Sequence, residues 1–235
     1  MELINRLISI LYPKRCAYCG TIIKSEEQVC EECTKDLPRI NAPYCQYCGY
    51  AKNKCKCNKK KRAYSEVIAP FYYEGAVKKA IKRMKFSDKP YIAEVFSKEM
   101  SKCLSKRCEE KIFDIITCVP MSKKDVRNRG YNQSELLVRG LKVKGNPIID
   151  TELIVKLYNV PPQHSLDATQ RQGNVLGIFD IAQGKDVKEK TILLCDDVKT
   201  TGATANECAS VLLSAGAKEV CLLCAAITKS NNLKY

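Results

Sequence analysis

The sequence is short of the parts from which several common protein classes are built. It holds a single histidine, His164, so no Ser-His-Asp arrangement can be assembled and His164 reads as a loop residue. No apolar run approaches the ~18 residues that a membrane-spanning helix requires, so no membrane insertion is expected. Met1 to Pro13 carries Glu2 and Arg6 inside its apolar pattern and runs straight into Cys16, whereas a secretory signal needs an unbroken apolar stretch and a small-residue cleavage site. That segment is expected to form an amphipathic helix, and the protein to be cytoplasmic. Glycine and proline, 11 and 9 among 235 residues, stay at ordinary levels beside an apolar fraction of 45%. Collagen-like, low-complexity and wholly disordered chains are thereby excluded. The length suits one ordinary domain with a small satellite.

Acidic residues are scarce against basic ones: 26 Asp and Glu face 40 Lys and Arg, a formal net charge of +14. The imbalance is uneven, since residues 1–62 hold 13 basic and 6 acidic side chains, and Lys52 to Arg62 holds seven basic and no acidic ones. Such a surface attracts polyphosphate or nucleic acid. Tyr44, Tyr47, Tyr50 and Tyr64 lie near it, placed either to stack on bases or to pack around the cysteines.

Cysteine is abundant. Of 15 cysteines, eight fall between positions 16 and 57 as Cys16-x2-Cys19, Cys30-x2-Cys33, Cys45-x2-Cys48 and Cys55-x-Cys57. With no export signal, metal thiolates are expected over disulfides. Gly20 and Gly49 follow two of the pairs and let the backbone turn so that both sulfurs face one ion. Two structural zinc sites are expected, Cys16, Cys19, Cys30 and Cys33 holding one, and Cys45, Cys48, Cys55 and Cys57 the other. Crossed ligation between successive pairs would satisfy the same chemistry. Two tetrathiolate ions would lower the net charge to about +10. Metal binding would also supply folding free energy that a segment poor in large apolar side chains lacks. Cys118, Cys195, Cys221 and Cys224 sit in apolar stretches, as small core hydrophobes.

From residue 63 the texture becomes alternating strand and helix, which divides the chain into a cysteine-rich module over 1–62 and an α/β domain over 63–235. Strands are expected over Glu66 to Tyr73, Phe113 to Val119, Thr191 to Cys195 and Val220 to Ile227. Helices are expected over Gly75 to Lys85 (Val77, Ile81 and Met84 on one face), Ala93 to Leu104, Ser134 to Leu141 and Ala205 to Ser214. This alternation implies a mostly parallel, doubly wound sheet. The stretch from Asn159 to Lys190 has no clear period, and so long an irregular segment inside an α/β domain is commonly functional.

The segment Ile192 to Thr204 carries the most chemistry. An apolar strand runs into Asp196 and Asp197, then a Thr/Gly turn, then a helix. Backbone N–H groups and hydroxyls at the helix start suit a phosphate monoester, and Gly202 permits close backbone approach. The paired carboxylates just upstream suit hydroxyl donors, so together the parts describe a ribose 5-phosphate site.

This segment resembles the 5-phosphoribosyl-1-pyrophosphate (PRPP) loop of type I phosphoribosyltransferases. The resemblance implies that Asp196 and Asp197 bind the ribose 2′- and 3′-hydroxyls and that Thr200, Thr201, Gly202, Ala203 and Thr204 hold the 5-phosphate. Lys199 departs from the pattern and is expected to point to solvent. The run Arg127-Asn128-Arg129-Gly130-Tyr131-Asn132-Gln133 after Val119-Pro120, the later Gln163-His164-Ser165-Leu166, Met84-Lys85-Phe86 and the two Cys-rich knuckles are together similar to the ComF (ComFC) family of natural transformation. Ser165 stands where that family usually has glycine.

The resemblance implies a type I phosphoribosyltransferase fold behind a zinc-binding module, work on incoming single-stranded DNA, and partnership with the ComFA helicase-like ATPase. The loop after Val119 is expected at the C-terminal end of a parallel strand, where such sheets bind ligands. Its Lys123, Lys124, Arg127 and Arg129 are placed to neutralise pyrophosphate, with Mg²⁺ shared between pyrophosphate and ribose oxygens. Arg171, in the segment that corresponds to a mobile covering loop, is expected to stabilise developing charge. Two functions follow: a Mg²⁺-dependent phosphoribosyltransferase with no identified acceptor, or a non-catalytic single-stranded DNA adaptor whose PRPP site is regulatory or vestigial.

Overall fold

The computed structural model describes residues 13–57, 62–87, 89–157 and 178–228. Nearly all of the expected Met1 to Pro13 helix, part of the Lys52 to Arg62 run, and both His164 and Arg171 lie outside the described residues.

The sheet forms where the sequence is most continuously apolar, because a parallel strand is buried on both faces. Its strands are β1 (Glu66–Ile68), β2 (Phe71–Tyr72), β3 (Ile115–Cys118), β4 (Ile148–Ile149), β7 (Thr191–Lys199) and β8 (Glu219–Ile227). The order is β1-β8-β7-β3-β4, with β2 continuing beside β8, and every pairing is parallel. The expected strand from Glu66 to Tyr73 is thus two short pieces on one partner, broken around Pro70. Two further strands, β5 (Ile154–Lys156) and β6 (Phe179–Ile181), form a separate antiparallel pair.

Helices cover both faces. α2 (Gly75–Phe86), α3 (Tyr91–Arg107) and α5 (Gln133–Arg139) share a core with Leu193, Cys195, Cys221 and Leu223. α6 (Ala203–Ser214) closes the other face through Ala205, Cys208, Ala209 and Leu212 against Ile192, Leu194, Leu222 and Cys224. The alternation along β7 and β8 distributes side chains between the two cores. Val77, Ile81 and Met84 are buried, as their spacing predicts, and so are Cys118, Cys195, Cys221 and Cys224.

The cysteine knuckles are built into these cores. Cys16, Ala17 and Tyr18 belong to the first, where the Tyr18 ring meets Phe71 and Phe96 edge-on at 6.0 and 5.4 Å. The guanidinium of Arg83 on α2 donates to the carbonyls of Ala17 and Tyr18 at 2.7 and 2.8 Å. Cys45, Cys48, Tyr50 and Ala51 belong to the second core with Tyr64 and Tyr72. A short helix, α1 (Glu31–Asp36), starts at Cys30 in the first knuckle.

Two local expectations are corrected and one open alternative is decided. β7 does not stop at Cys195: Asp196, Val198 and Lys199 continue the ladder opposite Cys224, Ala226 and Ile227. The basic residues after Val119 form a helix, α4 (Lys123–Arg129), started by Ser122 accepting from the Asp125 amide and ended by Gly130 at φ 80°. Tyr50 and Tyr64 are only 6% and 4% exposed. The Tyr50 hydroxyl donates to the Thr228 carbonyl, so burial removes both rings from any nucleic-acid surface.

Candidate functional site

The sheet register places the site. Cys118 lies opposite Cys195, and the Val119 amide donates to the Cys195 carbonyl at 2.9 Å. The chain leaving β3 therefore begins its turn beside Asp196, at the C-terminal ends of adjacent parallel strands. There a cleft of about 230 Å³ gathers Asp196 and Asp197 from β7, Thr204 from α6, Lys85 from α2, Arg129 from α4, Ser122, Asn132 and Ser134 from the turns around α4 and α5, and Lys156 from β5.

The two carboxylates differ. Asp197 is salt-bridged to Lys85 at 2.7 Å. Asp196 accepts from the Ser134 hydroxyl at 3.2 Å and from the Asp197 amide at 2.8 Å. Burial first, and then the neighbouring Asp197 charge, push the Asp196 carboxyl up to about 7. The Arg129 guanidinium lies 5.0 Å from the centroid of the exposed Phe86 ring. Arg129 also donates to Gln133 at 3.0 Å. The Tyr131 hydroxyl donates to the Met84 carbonyl, tying the turn between α4 and α5 to the end of α2.

Gly202 caps α6 in the left-handed region at φ 79°. A Cβ there would stand 2.6 Å from the Tyr64 hydroxyl and 3.2 Å from Lys199 Cε, so the position requires glycine on both counts. The Thr201 hydroxyl accepts from the Ala203 amide at 3.2 Å. That bond satisfies one of the first-turn amides of α6, which have no acceptor within the helix itself. Lys199 is partly buried against this turn, which corrects the expectation of a solvent-directed side chain. Burial lowers its pKa, opposed by the thiols of Cys224 and Cys48.

Of the residues picked out from sequence, the structure brings Asp196, Asp197, Thr204 and Arg129 into the cleft. Thr200, Thr201 and Ala203 are exposed on the adjoining turn, Gly202 is buried beneath it, and Lys123, Lys124 and Arg127 are exposed on α4. Sequence reasoning missed Ser122 and Lys156, which carried no pattern, and treated Lys85, Asn132 and Ser134 only as parts of longer runs. A larger groove, about 600 Å³, lies between residues 13–17 and the start of α3. It has no helix start facing a carboxylate pair, and the smaller cleft is the chemically equipped one.

The thiols form two groups, Cys16, Cys19, Cys30 and Cys33, and Cys45, Cys48, Cys55 and Cys57, with all sulfurs of a group within 4.8 Å of one another. The expected in-order pairing holds and crossed pairing does not. Sulfurs lie 3.6 Å apart for Cys19 and Cys30, 3.7 Å for Cys45 and Cys57, and 3.5 Å for Cys48 and Cys55. A tetrahedral zinc with ~2.3 Å bonds needs sulfurs ~3.8 Å apart. Both groups therefore fit zinc, and four thiolates leave no open position for water, so each is structural.

Comparison with known proteins agrees with this arrangement. Residues 7–64 match the double zinc ribbon domain. Competence protein F of Haemophilus influenzae is 28% identical, over 88% of this chain and 93% of its own. Competence protein ComFC of Streptococcus pneumoniae is 29% identical, over 88% and 96%. The chain is a homologue of the ComF competence proteins. The DNA utilization protein YhgH of Escherichia coli K12 is a further relative, 26% identical over 89% of this chain and 88% of its own. Among solved structures, a hypoxanthine phosphoribosyltransferase from Staphylococcus aureus overlays 63% of this chain and 68% of its own at 14% identity and a TM-score of 0.37. An overlay that loose bears on neither substrate nor reaction. No helix among the described residues is long and apolar enough to cross a membrane.

Proposed function

We propose that this ComF homologue binds PRPP with Mg²⁺ in the cleft at the end of β7 and serves the handling of single-stranded DNA. The observation that carries the reading is the meeting of Asp196 and Asp197 with Thr204, Lys85 and Arg129 in one cleft. Ribose hydroxyls donate to the two carboxylates. The 5-phosphate takes the amides and hydroxyls between Thr200 and Thr204. Arg129, with Lys123, Lys124 and Arg127 on the same helix, neutralises the pyrophosphate. Mg²⁺ bound together with PRPP would supply further neutralisation of the pyrophosphate oxygens.

In a transfer reaction the C1–O bond to pyrophosphate breaks, and pyrophosphate leaves with the electron pair. An acceptor nitrogen gives its lone pair to form the C1–N bond and releases its proton to solvent. The protein's part is positioning and charge stabilisation, and no covalent nucleophile is needed. Arg171 supplies charge to the departing pyrophosphate in this scheme. The names of the relatives support a setting in DNA uptake and use, and ComFA is proposed as the partner there.

The test is a titration with PRPP and Mg²⁺ read as melting temperature. A rise is expected for the native protein and none for the doubly substituted Asp196→Asn, Asp197→Asn protein. An unchanged rise in the variant would move the site elsewhere, and no rise in the native protein would end the reading. The second reading, a DNA adaptor without turnover, is favoured by α2, whose Lys78, Lys79 and Lys82 are exposed and whose Lys85 lines the cleft. Release of pyrophosphate from PRPP in the presence of single-stranded DNA separates the two.

A further inference from the structure

Of the four tyrosines near the basic run, Tyr50 and Tyr64 pack inside and Tyr44 is partly buried, which leaves Tyr47, 49% exposed, as the one open ring among them. The guanidinium of Arg107 covers the Tyr44 ring at 4.4 Å. A different surface has the parts that a nucleic-acid seat requires. α2 places Lys78, Lys79 and Lys82 on its exposed side, and α4 adds four basic residues against one acid, Asp125, which is engaged by the Ser122 hydroxyl at 2.6 Å.

The last residue of α2 is Phe86, 71% exposed. One side of its ring is covered by Arg129. Since Arg129 also lines the cleft, the ring borders the cleft mouth. At the other end of α2, Lys78 lies 6.0 Å from the Tyr73 centroid. Burial first, and then the charges of Lys85 and Asp197, act on the Tyr73 hydroxyl. Aromatic faces interleaved with cations, on a flank with almost no acid, are what a single strand requires: cations follow the phosphates while rings take the unstacked bases. A duplex keeps its base faces covered and gains only the cations.

We propose that the flank formed by α2 and α4 is the track for single-stranded nucleic acid, with a base stacked on the open side of Phe86 and the phosphates running along Lys78, Lys79 and Lys82. This deepens the reading above, on whose DNA-handling half it rests. It brings the strand past the mouth of the pentose cleft, so a base held on Phe86 is the class of nitrogen acceptor nearest to that site.

The test uses fluorescence anisotropy with a labelled 15-nucleotide oligo-dT. Phe86→Ala is expected to weaken binding about tenfold or more, in line with the loss of one base–aromatic stack, without altering the salt dependence. Lys82→Gln is expected to reduce the slope of log affinity on log salt by about one phosphate contact. The chain contains no tryptophan, so Phe86→Trp adds a single reporter whose emission falls on stacking.

Equal affinity for Phe86→Ala and the native protein overturns the proposal, as does unchanged Phe86→Trp emission on saturation or equal affinity for duplex and single strand. Tighter binding to phosphatidylserine vesicles than to oligo-dT overturns it in favour of a lipid surface. The PRPP melting shift, measured in the same Phe86→Ala protein, keeps the two readings apart. A retained shift with unchanged DNA affinity removes the track and leaves the pentose site. A native protein that shows the shift and binds no oligo-dT removes both the track and the DNA half of the reading.

Discussion

The ammonium of Lys85 lies 2.7 Å from the carboxylate of Asp197, and only 22% and 10% of the two side chains are exposed. This pair fastens the last turn of α2 to the polar end of β7, and with the Tyr131 bond to Met84 it sets one wall of the cleft. Removing one partner of a mostly buried pair leaves the other charge without compensation. Lys85→Met is therefore expected to lower stability by about 1–3 kcal/mol, with Lys85→Arg recovering most of it. Urea unfolding monitored by circular dichroism measures both, and equal midpoints for Lys85→Met and the native protein would show the pair to be idle.

Asp196 makes the fold sensitive to pH. Its carboxyl is raised from 3.8 to about 7 by burial and by Asp197. A folded value above the unfolded one means stabilisation that is complete below the unfolded value and lost as pH rises through the folded one. The melting temperature of the native protein relative to Asp196→Asn should fall between pH 5 and pH 8. PRPP affinity should rise over the same interval, because an ionised carboxylate accepts hydroxyl donors better. A constant difference in melting temperature across that range would contradict the shift.

Gly202 offers a steric test of the phosphate turn. Its φ of 79° and the 2.6 Å approach of the Tyr64 hydroxyl to a Cβ both oppose any side chain. Gly202→Ala should lose the PRPP melting shift and cost about 1–2 kcal/mol from the left-handed backbone alone. Adding Tyr64→Phe removes the clash and leaves the backbone strain, so partial recovery of stability is expected in calorimetry.

Zinc content should be close to two ions per chain by elemental analysis. Each thiol group draws all four sulfurs from its own segment, so Cys33→Ala and Cys48→Ala should each retain about one ion and the combined variant none. Retention of both ions by either single variant would overturn the assignment.

Much of this was legible in the residues. β3, β7 and β8 announce themselves because strands buried on both faces must be apolar throughout, and the eight close-set cysteines announce metal thiolates, while the choice between in-order and crossed pairing needed the structure. What escaped notice has physical reasons. The last residues of β7 are polar, so composition hides their ladder with β8. α4 buries no residue and therefore has no apolar period; Ser122 and Gly130 define its ends. β4, β5 and β6 have two or three residues each, too few for a pattern. Tyr50, Tyr64 and Lys199 are drawn inward by the second knuckle, which a linear reading places apart from the α/β domain. Lys156 reaches the cleft from a strand pairing visible only in three dimensions.

The pairing of Glu66 in β1 with Cys221 in β8 has a bearing on synthesis at the ribosome. The knuckles rest on cores whose central strands, β7 and β8, are translated well after them, so the nascent cysteines wait without their permanent neighbours. Metal capture by closely spaced thiols needs no such neighbours. An ion taken up at that stage would hold the early segment folded until β8 emerges to receive it.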